Sequence, residues 1–146
     1  MKISSRLDYA ISCAVHIADT YYKKRPASVS HIAEKECIEP DYAEQLLIKM
    51  KRAGILKSIR GPAGGYVLKS SPSKITAAEV VKAVENNILE PVCFRKKGRR
   101  KKCVHLTDCK IRILWLGLAD VMEDHLESYS LKKLLSLRKK EKIRRF

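Results

Sequence analysis

The apolar and polar positions of this chain predict six helices and one pair of short β-type runs. Ile3, Leu7, Ala10, Ile11, Ala14, Val15, Ala18 and Tyr21 recur at three- and four-residue spacing, which predicts an amphipathic helix over 3–22, stopped by Arg25-Pro26. Ser28 is placed to cap a short second helix running to about Glu36. Pro40 suits the first turn of a third, whose apolar face is Ala43, Leu46, Leu47 and Met50 and which Gly54 ends. Two short β-type runs follow, 55–59 and 66–68, joined by Arg60-Gly-Pro-Ala-Gly-Gly65, and together they predict a hairpin. Thr76 with Glu79 forms a Thr-x-x-Glu capping box that opens a fourth helix to about Asn86. Residues 90–109 have little periodicity. A long fifth helix is marked by Ile111, Leu114, Trp115, Leu118, Val121, Met122 and Leu126, and Ser130 caps a last short one, to about Arg138.

Three compact helices followed by a hairpin is the winged helix-turn-helix order, with Cys37-Ile38-Glu39 as the tight turn before the reading helix. The expected fold is mainly α: a winged helix-turn-helix domain at 1–86, a cysteine-containing sensor loop at 87–110, a dimerisation helix with its short successor at 111–137, and a basic tail at 138–146. The fifth helix carries more apolar surface than a reading head of that size can bury. A homodimer is therefore expected, with self-packing of 111–126 as the alternative.

Charge adds a partner. The 146 residues hold 31 Lys+Arg against 16 Asp+Glu, a net +15. Seven cations lie in 94–102 and six in 138–145, 13 of the 31. Such blocks repel themselves and stay extended, and they grip phosphate through counterion release. Nucleic acid is the expected partner. Apolar residues make up 45% of the chain, enough for a core. No run is long and apolar enough to span a membrane, and the polar Met1–Tyr9 start lacks a signal peptide. A cytoplasmic protein without a membrane partner is expected.

The five cysteines are Cys13, Cys37, Cys93, Cys103 and Cys109. An odd number argues against a disulfide framework. Cys13 sits in an amphipathic run and reads as a core residue. The last three cluster near His105 and Asp108 in a spacing unlike that of zinc fingers. Three loop thiolates can hold an iron–sulfur cluster with a fourth ligand from elsewhere, or act as redox-active thiols. Neither a Cys-x-x-Cys pair, nor a phosphate-binding Gly-Lys-Ser loop, nor a paired-carboxylate constellation is present, so an enzyme is not expected.

The runs Tyr42-Ala-Glu-Gln-Leu-Leu47, Ala53-Gly-Ile-Leu56 and Arg60-Gly-Pro-Ala-Gly-Gly-Tyr66, with the opening Lys2-Ile-Ser-Ser-Arg-Leu-Asp-Tyr-Ala10, resemble the IscR/NsrR regulators of the Rrf-two superfamily over residues 1–135. The resemblance implies a dimeric winged-helix transcription regulator, a repressor in the simplest case, on a palindromic operator. Many members sense iron–sulfur status, nitric oxide or redox state through three loop cysteines. Carried over, Cys93, Cys103 and Cys109 are the cluster ligands, 2Fe–2S ahead of 4Fe–4S. One branch of the family takes its fourth ligand from a histidine three residues after the last cysteine, a position held here by Arg112. Another uses an aspartate of the first helix donated by the partner, and Asp8 stands there; His105 is a local rival. Tyr42, Glu44 and Gln45 match the reading helix, and Arg60, Gly61 and Pro62 the wing. Apart from the resemblance, Ser28 and Ser30 at the start of helix two are candidate phosphate donors, although capping alone explains one of them, and Asp41 and Lys49 are further candidate DNA contacts. Gln can pair with adenine, Glu can accept from cytosine, and Arg60 suits a narrow minor groove. Glu39 and Asp41 place acids where the reading helix begins, and the basic run lengthens the first inter-cysteine gap. The alternatives are a thiol switch or zinc site in the same regulator and, more remotely, a basic RNA-binding protein.

Overall fold

A computed structural model of the protein describes residues 3–85, 89 and 108–137. Cys93, Cys103, His105, the basic run and the tail lie outside the described residues. The order is α1 (Ser5–Tyr22), α2 (Val29–Glu36), α3 (Pro40–Arg52), β1 (Leu56–Ile59), β2 (Gly65–Leu68), α4 (Ala77–Val84), α5 (Lys110–Glu127) and α6 (Leu131–Ser136).

Every helix but α3 starts where a side chain satisfies an orphan amide. Ser4, Ser28 and Ser130 accept from the amides of Leu7, His31 and Lys133, and Thr76 and Glu79 complete the capping box. Glu39, the N-cap of α3, makes no such bond; Pro40 at N1 needs none, and Asp41 lies in the first turn. The acids at 39 and 41 thus sit at the positive end of the helix macrodipole, which explains them without any contact to nucleic acid.

The core gathers Leu7, Ala10, Cys13, Ala14 and Ile17 of α1 with Ile32, Leu46, Leu47, Met50, Val80 and Val81. β1 and β2 pair antiparallel, Leu56 opposite Leu68 and Ile59 opposite Gly65. Ala27 extends this sheet by a bridge, exchanging bonds with Tyr66 at 2.9 and 2.8 Å. The bridge requires glycine at 65, where φ is +152° and a Cβ would stand 2.3 Å from the Ala27 carbonyl oxygen. Both strands end where expected, at 59 and 68, but β1 begins one residue later than the expected 55 and β2 one residue earlier than the expected 66. Ile55 is buried ahead of β1, and its carbonyl accepts from Lys69. Helices α4 and α6 end two residues before the expected 86 and 138, because Glu85 and Leu137 turn to extended backbone.

Among the described residues, the C-terminal elements meet the winged domain through α6 and the end of α5, where Leu126, Leu134 and Leu135 pack against the core. Leu131 is fully buried, its amide donates to Ile75, and Tyr129 accepts from Ala77. Lys82 of α4 pairs with Glu123 and Glu127 of α5, and the first of these pairs raises the Lys82 pKa. Helix α5 itself has no buried residue. Its stripe Ile111, Ile113, Leu114 and Val121 is more than 60% exposed, alongside Trp115 and Leu116 at 41%. Among the described residues, Leu126 at the end of α5 packs against the core, while the stripe Ile111, Ile113, Leu114 and Val121 is left uncovered.

Candidate DNA interface and cysteine site

The exposed side of the helix-turn-helix presents Asp41, Glu44 and Gln45 of α3, Ser30 at the start of α2, and Arg60, Gly61 and Pro62 at the wing tip. Tyr42 is only partly exposed. It packs edge-on against Tyr9, ring centroids 6.1 Å apart, which fixes the start of α3 on α1. Ser28 is occupied in capping α2, and its Oγ lies 3.3 Å from that of Ser30. Gly61 has φ +117°, a conformation other residues resist, so the wing tip turns tightly behind Arg60. Burial, with the nearby Glu44 carboxylate adding to it, pushes the Tyr66 phenol above its ordinary range.

Lys49 is placed differently from the expectation. It is half-buried, and its Nζ donates to the carbonyl of Val84 at the end of α4, 3.2 Å away. Lys51 reaches the wing, donating to the Ser58 hydroxyl at 2.9 Å. Sequence reasoning missed both braces. The only signal available was the cluster of cations in the last turn of α3, which suits the helix's negative end and says nothing of a partner.

Of the expected cluster ligands, Cys109 and Asp8 are described. Cys109 is the N-cap of α5, and its Sγ accepts from the Arg112 amide at 3.4 Å. It is a free, half-exposed thiol. An amide donating to sulfur suits a thiolate ligand, since that bond stabilises negative charge on the sulfur. Asp8 is exposed on α1, on a groove of about 480 Å³ lined also by Ser12, His16, Asp19, Glu36, Leu134 and Leu135. It belongs to none of the ion pairs among the described residues. These two candidate residues offer donor chemistry that fits a cluster, and they stand on different elements. No metal-holding group of three or more such residues occurs among the described residues. Cys13 is unlike Cys109. Burial first, then the Glu36 carboxylate, push its thiol up to about 12, so it stays neutral and structural.

The Rrf2 family profile, an iron-dependent transcriptional regulator, matches residues 3–137. The chain belongs to the Rrf2 family. It is 32% identical over 135 residues to the HTH-type transcriptional regulator IscR of Aliivibrio salmonicida, covering 92% of this chain and 77% of that one. Among solved structures it is similar to CymR, the global cysteine regulator of B. subtilis. The TM-score is 0.71 at 30% identity, covering 93% and 97% of the two chains. It is also similar to T. potens IscR, with a TM-score of 0.69 at 25% identity over 92% and 86%. These Rrf2 relatives are regulators rather than enzymes, and the protein is a DNA-binding transcriptional regulator. Among the described residues no helix is long and apolar enough to cross a membrane.

Proposed function

We propose that the protein is a homodimeric regulator that reads a palindromic operator and responds to the state of Cys93, Cys103 and Cys109. The observation that carries this reading is the position of Cys109: one candidate sensor thiol is also the cap of the helix whose apolar stripe is left unpaired. A change at that sulfur acts directly on the start of α5. The stripe of α5 supports a two-fold interface, because a second copy of the same stripe covers it and sets two reading heads side by side. In each head Gln45 and Glu44 would meet base edges, Ser30 and the α2 amides the phosphates, and Arg60 the minor groove.

The three cysteines and Asp8 would hold an iron–sulfur cluster, 2Fe–2S in our reading, which supplies a reversible response to oxidation, nitric oxide or iron supply. Asp8 contributes a carboxylate from the first helix of the partner, Cys109 a thiolate that its own helix amide stabilises. The protein's part in sensing is to convert occupancy of these ligands into the separation of the two heads, a population shift that needs only a few kcal/mol of differential affinity. Iron and acid-labile sulfide are measured on anaerobically purified protein, together with its visible spectrum. Both elements and a coloured spectrum are expected for the wild type and lost in a Cys93/Cys103/Cys109→Ala variant. A colourless wild type indistinguishable from that variant refutes the cluster.

A second reading has an observation of its own. The chain is also similar to the oxidised form of Staphylococcus aureus CymR, with a TM-score of 0.68 at 26% identity over 94% of this chain and 98% of that one. In that reading the same cysteines act as a thiol switch without a cluster. Sulfide-free protein whose operator affinity still changes on mild oxidation decides for it.

A further inference from the structure

The end of α4 is held from two sides. Val84 is its last residue, so its carbonyl belongs to the terminal group that lacks an intrahelical partner. Lys49 of the reading helix supplies that partner and places an ammonium at the negative end of the α4 dipole. Glu85, the next residue, is held by α1: the Ser4 hydroxyl donates to its carboxylate at 2.9 Å, and Arg6 stands 3.8 Å away. Asp8, the candidate fourth ligand, lies one helical turn beyond Ser4. Cys93, the first candidate thiolate, follows eight positions after Glu85. Residues 84 and 85 are thus the junction at which the reading helix, the first helix and the lead into the cysteines meet.

We propose that Lys49 is a positioning residue, and that the Lys49–Val84 and Ser4–Glu85 bonds transmit the state of the cysteine site to the reading helix. Lys49 is half-buried and spends one of its ammonium donors on the Val84 carbonyl, so its role in binding is read as holding α3 against α4. Because α3 and α4 are packed together, a displacement of the α4 end moves α3 as a unit rather than being absorbed locally. Lys51 does the same on the other side, tying α3 to the wing through Ser58, so head and wing move as one body. This inference rests on the sensing reading above for its signal, and on the two hydrogen bonds for its route.

The test uses the full-length dimer and a duplex selected from random sequence by the wild-type protein. Affinity is measured by fluorescence anisotropy across a salt series, with and without the cluster. Lys49→Met is expected to weaken binding at least fivefold while leaving the slope of log affinity against log salt unchanged. It is also expected to bring the ratio of affinities between the two cluster states toward one. Lys49→Arg restores both. Glu85→Ala is expected to weaken binding as well, although deleting an acid from a DNA-binding surface would by charge alone tighten it. A slope that falls by about one in Lys49→Met marks a phosphate contact and overturns the proposal. So does tighter or unchanged binding in Glu85→Ala. Circular dichroism identifies a variant that fails to fold, and Lys49→Arg and Glu85→Ala then decide. If the wild type shows no difference between cluster states, the sensing reading fails. The positioning role is then decided by the salt slope and by the sign of the Glu85 effect.

Discussion

Leu114 is 62% exposed on a helix that has no fully buried residue among the described residues, and a dimer should depend on it. Burying a leucine fully stabilises by about 1.5–3 kcal/mol, so covering the exposed share is worth about 1–2 kcal/mol. A two-fold axis uses each residue twice, so Leu114→Ala should cost the dimer about 2–4 kcal/mol, a rise in dissociation constant of about 30- to 800-fold. The fold of each subunit should be nearly untouched, because Leu114 makes no part of the core. Sedimentation equilibrium reads the dissociation constant, and thermal unfolding at dissociating concentration reads the subunit. The variant should bind one half-site with its original affinity and lose most of its affinity for the full palindrome. A wild type that is monomeric at micromolar concentration, or a Leu114→Ala dimer as tight as wild type, refutes the assignment of α5 as the interface.

Arg60→Ala should weaken operator binding by about 1–3 kcal/mol in the anisotropy assay, and an unchanged affinity removes the wing tip from the contact. Removing residues 138–146 deletes six cations and should flatten the salt dependence of DNA binding; an unaltered slope excludes the tail from the phosphates. The Cys13 thiol ionises near 9.0 when unfolded but only near 12 when folded, so its contribution to stability is complete below pH 9 and lost as pH rises from 9 to 12. Between pH 9 and 10.5 this amounts to about 2 kcal/mol. The melting temperature should therefore fall more steeply over that window in the wild type than in Cys13→Ala, and parallel curves contradict the buried neutral thiol.

Local signals were legible in the sequence. Ser28, Thr76 with Glu79, and Ser130 each cap the helix their position announces, and the apolar spacing of α1 and α3 marks the faces that the core buries. The glycine-rich run at 60–65 marks the turn that the wing takes. What remained hidden joins residues far apart. Ser4 and Glu85 are separated by 81 positions and Lys49 and Val84 by 35, and no periodicity tells which exposed polar group will meet which. Cys109 was also hidden as a helix cap, because cysteine is not among the residues that usually hold that place. The acids at 39 and 41 stand where the sequence starts the reading helix, and the structure adds that Glu39 makes no capping bond there.

The most direct test of sensing through the cysteines is operator affinity on one preparation, measured anaerobically before and after removal of its cluster, for the wild type and for the Cys93/Cys103/Cys109→Ala variant. A change of at least about fivefold in the wild type, absent from the variant, is the predicted result. Equal affinities in both states of the wild type would contradict it.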